Sequence, residues 1–365
     1  MILFTPGPAN ISERVRRAMT GPDIGHRDEA FRDLLREIRE RILSVCRAEA
    51  EYECAVFSGS GTLAVEAALA ALSGWDRRVL VVSNGVYGER AATACRLHRV
   101  PHEVLSLDWG AFPDPDRVEA ALKREGTGAV YLVHHETTTG RLNPLKEIAA
   151  RARAAGRLVL VDGVSSVGGE ELETAVWGID LLAGSANKCL RGVPGASFAV
   201  AGERFLAASG SCRRSALYAD LRAHLEAEAR GETPFTPAVP VFYAFREALR
   251  EIMEEGLGER IRGYEAVARS LRQGLCALGL TLFLPEEVLA RTMTPVNLPA
   301  GWNVETLGRA CREGGYLIYA SQGPLARTTF RLGTVGRITR GDVEGFLGHL
   351  GRVLERGPQG HEGPA

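Results

Sequence analysis

Between residues 55 and 200 the chain alternates short, uninterrupted apolar runs with longer segments whose apolar positions recur every three or four residues. The runs are Ala55-Val56-Phe57, Val79-Leu80-Val81-Val82, Val130-Tyr131-Leu132-Val133 and Leu158-Val159-Leu160-Val161. A strand that is apolar at every position, not every second one, is buried on both faces. Leu63 to Leu72 and Leu145 to Ala155 read as helices between them. Upstream, Asp28 to Arg47 places Phe31, Leu34, Leu35, Ile38, Ile42 and Leu43 on one helical face, and Arg14 to Met19 is a shorter helix. This βαβα alternation predicts an α/β fold with a largely parallel sheet covered by helices. Trp177 to Ala183 reads as a further buried strand, and Ala196 to Val200 as a strand running back through the sheet.

Residues 203–232 are expected to be helical, and Thr233-Pro234-Phe235-Thr236-Pro237 breaks them and crosses to a second unit. From Val239 the texture changes. Helices over 240–256 and 259–278 precede short strands near 280–284, 293–297, 316–319 and 328–333, with helices near 304–313 and 340–354. That is the pattern of a smaller α+β domain. The expected division is 20–238 for the large domain, 1–19 with 239–355 for the small one, and a disordered Gly/Pro-rich tail over 356–365. Thr5-Pro6-Gly7-Pro8 is read as a rigid arm lying over a surface, because proline fixes φ and removes donors.

Composition narrows the classes. A net charge of −1 over 365 residues gives no global field for nucleic acid or an anionic membrane. Seven scattered cysteines, odd in number and without a CxxC pair, read as reduced fillers in a cytoplasmic protein, not as a disulfide framework or zinc site. No apolar run approaches the ~20 residues of a membrane span.

The chemistry gathers where strands end. Asp162 closes the run Leu158 to Val161, and Lys188 lies 26 residues on, just past the next predicted strand. Ligands of open α/β sheets bind outside the carboxyl ends of the strands. A lysine that forms a Schiff base and a carboxylate that pairs with a pyridinium nitrogen are what pyridoxal phosphate requires. Ser58-Gly59-Ser60-Gly61-Thr62 joins a strand to a helix start, where free N–H groups, the helix dipole and hydroxyls build an anion site. It is neither a Walker A loop nor GxGxxG. Tyr87 can lay its ring on a flat cofactor. His134-His135-Glu136 has no second cluster at metal-ligand spacing, so no metal is expected, and the threonines that follow are the better ligand contacts. Arg331, on a predicted strand, can clamp a carboxylate. Each residue taken singly has an ordinary alternative: a solvated loop lysine, a Ser-capped turn, a rim tyrosine, a solvent-facing arginine.

Together the motifs resemble one family. Thr5-Pro6-Gly7-Pro8, Ser58 to Thr62, Asn84-Gly85-Val86-Tyr87-Gly88, Glu136-Thr137-Thr138-Thr139-Gly140, Val161-Asp162-Gly163-Val164-Ser165-Ser166, Ser185-Ala186-Asn187-Lys188-Cys189 and Phe330-Arg331-Leu332-Gly333 keep the order and spacing of class V aminotransferases of PLP fold type I. The resemblance covers almost the whole chain. It implies that Lys188 carries the cofactor as an aldimine and acts as general base, with Asp162 on the ring nitrogen. It further implies that Ser60, Gly61 and Thr62 bind the phosphate, joined by Thr236 from a partner subunit, and hence a homodimer. Tyr87 would stack on the ring, Thr138 approach its edge, Asn187 join the cofactor contacts and Arg331 clamp the oxo acid. His134 to Gly140 with Leu142-Asn143-Pro144, and Ser185 to Cys189 running on to Gly192-Val193-Pro194-Gly195, resemble the phosphonate-processing members most. The implied reaction moves the amino group of 2-aminoethylphosphonate to pyruvate, giving phosphonoacetaldehyde and L-alanine.

Two segments depart from that branch. Gly25 to Phe31 resembles the wider family, including alanine– and serine–glyoxylate transaminases, and Ala320-Ser321-Gln322-Gly323 lacks an expected cation. Arg27, Arg213 and Arg214 are the candidates to replace it. A lyase or desulfurase of the same fold needs a cysteine on a mobile loop, whereas Cys311 falls in a predicted helix and Cys276 reads as buried. An intact Lys188 and Asp162 argue against a non-catalytic binding protein.

Overall fold

The computed structural model describes residues 1–48 and 51–358. Its centre is a seven-stranded sheet of β1 (Tyr52–Ser58), β2 (Arg78–Ser83), β3 (His102–Ser106), β4 (Thr127–Val133), β5 (Leu158–Asp162), β6 (Leu181–Ser185) and β7 (Ala196–Gly202), in the order β1-β7-β6-β5-β4-β2-β3. Strands β2 to β6 pair in parallel, and β7 alone runs antiparallel to both its neighbours. β4, β5, β6 and β7 are buried at every position, as their unbroken apolar runs predict. This is the expected α/β fold with a mostly parallel sheet.

Helices close both faces. On one, Glu29–Cys46 buries Phe31, Leu34, Leu35, Ile38 and Ile42, and Val239–Glu255 adds Phe242, Phe245, Leu249 and Ile252 to the same core. Phe31 and Phe242 stack at 6.0 Å between those helices. Each such side chain contributes roughly 1.5–3 kcal/mol. On the other face, Gly61–Ala70 packs Ala64, Ala67, Ala68 and Leu69 against β6 and β7. Beyond residue 256 a separate core of Leu271, Leu275, Leu307, Phe330, Phe346 and Leu350 also takes in Phe4 from the N-terminus. There Met293–Asn297, Thr329–Gly333 and Tyr319–Ala320 form a three-stranded antiparallel sheet.

Several expectations need correction. Trp177 to Ala183 is not one strand: Thr174–Trp177 is a helical turn that Gly178 ends in the left-handed conformation (φ 65°), and β6 starts only at Leu181. The stretch 203–232 holds two short helices, Glu203–Gly210 and Leu221–Glu228; Asp220 caps the second by accepting from Ala223 N–H. Near 280–284 there is a single bridge, Leu282 to Val296, instead of a strand. The strand expected near 316–319 divides, because Tyr316–Leu317 pairs with Ile2–Leu3 and Tyr319–Ala320 pairs with Arg331 and Phe330. The N-terminal arm is not a surface strap: Phe4, Thr5 and Pro6 are buried, and Gly333 N–H donates to the Phe4 carbonyl. Arg356 ends the last helix, and residues 359–365 of the expected tail lie outside the described residues.

Candidate active site

β1 runs in the same direction as β6, since both are antiparallel to β7. The carboxyl ends of β1, β2, β4, β5 and β6 therefore open on one edge. There the chain delivers Ser60, the Asn84–Tyr87 turn, Glu136–Thr138, Asp162 and Lys188 together.

Asp162, the last residue of β5, is 6% exposed and has no cation in hydrogen-bond reach among the described residues. Its oxygens accept from Val164 N–H (2.9 Å) and the Tyr131 hydroxyl (3.4 Å). Burial pushes its pKa up to about 6. A buried carboxylate met only by neutral donors has acceptor capacity left for a charged N–H.

Lys188 follows β6 in a tight segment: Arg191 N–H donates to the Lys188 carbonyl, and Arg260 and the Tyr264 hydroxyl both donate to the carbonyl of Cys189. Burial lowers the Lys188 pKa to about 8, and Arg331 and Arg90 act in the same direction, against the pull of Asp162. Its Nζ donates to the Pro6 carbonyl.

Ser60 is the N-cap of Gly61–Ala70, and its side chain makes no capping bond; Leu63 N–H donates to the Ser60 carbonyl, which leaves the Ser60 hydroxyl and the N–H groups of Gly61 and Thr62 for an anion. Glycine is required at 61 by close approach: a Cβ there would lie 2.7 Å from Val164 Cγ1. Thr62 is exposed, and its hydroxyl accepts from Arg90 at 3.2 Å. Tyr87 is the second residue of a helix, Val86–Leu97; the Arg90 guanidinium sits 4.7 Å from its ring centre. Arg90 was not foreseen. Its position three residues after Tyr87, on the same helical face, is the signal that would have found it. Glu136 is fully buried and accepts from Tyr87 N–H and Thr138 N–H, each at 3.1 Å. The hydroxyls of Thr137, Thr138 and Ser185 are buried with no protein partner.

Arg331 is 4% exposed, and its bonds go to two neutral carbonyls, Ala320 (3.2 Å) and Thr137 (3.4 Å). No carboxylate pairs with it among the described residues, so a buried cation stands ready for an anion. Asn187 is half-buried beside Lys188. Thr236 is exposed, in a segment tied to the β1 end by Ala238 N–H donating to Ser58 Oγ (2.9 Å). His134 and His135 are both buried; burial lowers their pKa values to about 3 and about 4.

Three expectations fail here. Arg213 and Arg214 are remote, beside Ser73 and Ala70 at the far end of the ten-residue helix whose start is the anion site, ~15 Å along its axis. Arg214 is already paired with Asp220 and Glu226. Cys276 is exposed, although it lies in the helix Leu257–Ala277. Arg27, the remaining candidate cation, is exposed.

The residues fit pyridoxal phosphate: an uncompensated buried carboxylate, a lysine of lowered pKa, orphaned threonine hydroxyls and an unfilled helix start converge at one edge. The family described as aminotransferase class-V matches residues 11–324. A 2-aminoethylphosphonate–pyruvate transaminase of Syntrophobacter fumaroxidans is 36% identical over 347 residues, covering 94% of this chain and 93% of the relative. The enzyme of that description from Salmonella schwarzengrund is 34% identical, covering 95% of each. The crystal structure of an alanine–glyoxylate aminotransferase from Nostoc sp. superposes with a TM-score of 0.92 at 29% identity, covering 97% of this chain and 95% of that one. The chain belongs to the class V aminotransferases and is a transaminase of PLP fold type I that depends on pyridoxal phosphate.

Proposed function

We propose that this transaminase moves the amino group of 2-aminoethylphosphonate to pyruvate, giving phosphonoacetaldehyde and L-alanine. The observation that carries the reading is the near-full-length likeness, at 34% and 36% identity, to two transaminases of that description. Bound pyridoxal phosphate supplies an electron sink for the carbon that bears the substrate nitrogen. Asp162 holds the ring nitrogen in its protonated form, because a buried carboxylate gains most from a charged donor. Lys188 Nζ anchors the cofactor, and its basicity, reduced by burial, suits it to take and return the proton on the substrate carbon near neutral pH. Ser60, Gly61 and Thr62 hold the phosphate, Tyr87 covers the ring and Thr138 Oγ1 meets its edge, with Asn187 alongside. Arg331 binds the anionic end of the oxo acid with a planar, bidentate fork.

The reading includes a homodimer in which Thr236 of each chain completes the other's phosphate site; its exposure in the single chain is consistent with that role. It also includes a cytoplasmic setting, and no helix among the described residues is long and apolar enough to cross a membrane. The division into a large domain over 20–238 and a small one over 1–19 with 239–355 is part of the same proposal.

A second reading, alanine– or serine–glyoxylate transamination, is favoured by the cation-free segment Ala320 to Gly323 and by the likeness to the Nostoc enzyme. One experiment separates the two. Holoenzyme is mixed with 2-aminoethylphosphonate alone, and the visible cofactor band is followed. Its loss, with return on pyruvate, supports the first reading. No change with the phosphonate, but conversion by alanine or serine and return on glyoxylate, replaces it with the second.

A further inference from the structure

Glu136 is a fully buried carboxylate at this sheet edge that the proposed chemistry leaves unused. It sits in the two-residue strand His135–Glu136, at 0% exposure, and none of its hydrogen bonds comes from a cationic side chain. The charged and titratable groups that feel it are Asp162, Tyr131 and Arg331. A carboxylate held in such a place costs several kcal/mol unless its oxygens are well satisfied.

Its donors are specific. Oε2 accepts from the backbone N–H of Tyr87, in the first turn of Val86–Leu97, a donor that has no partner within its own helix. Oε1 accepts from the backbone N–H of Thr138. One side chain thus ties together the two backbone points that carry the ring-covering tyrosine and the ring-edge threonine. Gly85 makes room for it. Its backbone is extended (φ 174°), a conformation open to any residue, yet a Cβ there would stand 2.4 Å from Glu136 Cδ. Glycine at 85 is therefore a matter of space, and the space is filled by the carboxylate.

We propose that Glu136 is a positioning residue that sets the width of the cofactor slot, by holding the backbones of Tyr87 and Thr138 to the two oxygens of one carboxylate. The inference rests on the cofactor reading above. Glu136 touches neither the ring nor the substrate; it acts through Tyr87 and Thr138. A shorter acid cannot reach both donors, and an amide presents one acceptor and one donor to two N–H groups.

The test uses full-length holoenzyme with pyridoxal phosphate and reads two quantities, the rate of cofactor release and the visible circular dichroism of the bound cofactor, which reports ring orientation. Burial raises the Glu136 pKa to about 7, so the comparison is made at about pH 8.5, where the carboxylate is ionised. There E136Q is expected to release cofactor about tenfold faster or more, the scale of one lost charge-assisted hydrogen bond, and to change the dichroic band. G85A leaves the carboxylate in place chemically but displaces it sterically, and is expected to change both readouts in the same direction. In an E136A background the three atoms that the added methyl would meet first are gone, so G85A is expected to have no further effect beyond about twofold. Variants that match wild type in release rate and dichroism, or a G85A effect that persists undiminished in E136A, overturn the inference while leaving the cofactor reading intact. A wild-type protein that takes up no pyridoxal phosphate overturns both.

Discussion

Lys188 Nζ donates its hydrogen bond to the carbonyl of Pro6, a residue 182 positions earlier in the chain. The N-terminal arm thus reaches the reactive amine directly. Gly7 allows this approach: its φ of +140° is one that side chains rarely adopt, and a Cβ there would lie 2.7 Å from Lys188 Nζ. G7A is expected to slow turnover by about tenfold or more, since small misplacements of a reacting group are costly. Steady-state kinetics with amine and oxo acid, alongside a thermal melt to confirm folding, check this.

The lysine's own titration makes a second prediction. Burial lowers its pKa to about 8, so the neutral, nucleophilic amine grows as pH rises toward that value and is nearly complete beyond it. Uptake of pyridoxal phosphate by apoprotein is expected to accelerate from pH 6, pass half of its maximum near pH 8 and level at about pH 9. Stopped-flow absorbance measures it. A rate that keeps climbing through pH 10 would place the amine at its ordinary value and contradict the burial argument.

Asp162 trades stability for chemistry. Its folded pKa of about 6 lies above the ordinary carboxylate value of 3.8, so between those values the folded state keeps a proton that the unfolded chain has released. The contribution of this group to apoprotein stability therefore falls as pH rises across that window and stays low above it. D162N apoprotein is expected to be more stable than wild type at pH 7.5 by on the order of 1–3 kcal/mol. It should also show a flatter stability profile from pH 4 to 6 and almost no transaminase activity. Urea midpoints across pH measure the first two effects.

Arg331 has the opposite sign, a buried cation waiting for its anion. R331A is expected to raise KM for the 2-oxo acid on the order of 100-fold, as truncating one side of a buried charge pair does. R331K should recover only part of that, because an ammonium cannot reproduce the planar fork. Initial rates against oxo acid concentration decide it.

Arg213 and Arg214 lie at the far end of the helix from the anion site, and Arg214 has two acidic partners of its own. R213A and R214A are each expected to leave turnover of 2-aminoethylphosphonate within about twofold of wild type. A tenfold loss in either would mean that the residue reaches a site in the assembled oligomer.

The parts of the site readable in the sequence are those whose local pattern and local role coincide. Asp162 ends an apolar run that is buried on both faces, and Ser60 to Thr62 join such a run to a helix, so strand, turn and chemistry point to the same edge. The missed parts depend on what lies across space. The edge strand His102–Ser106 is half exposed and shows no apolar run. The helix from Val86 starts after Asn84-Gly85, a pair that reads as a loop, and its first-turn donor is satisfied by Glu136, 49 residues away. Nothing local marks Pro6 as a partner of Lys188, and nothing in an arginine's neighbours reveals that a ten-residue helix separates it from the ligand. Gly178 carried a signal that was available: a lone glycine inside an apolar stretch can end one element before the next begins.

The antiparallel strand β7 also governs the order in which this chain can be built. β1 is an edge strand whose neighbour among the described residues is β7, with Ser58 opposite Ala196 and Tyr52 opposite Gly202. During synthesis the segment that becomes β1 leaves the ribosome well before its partner exists, with Ala55, Val56 and Phe57 uncovered in the meantime. Such long-range pairings fold slowly and leave an open strand edge that can capture another chain. A nascent chain stalled before residue 196 is therefore expected to be aggregation-prone, and one extended past 202 to become protease-resistant, so that the last strand added to the sheet acts as the commitment point for the whole domain.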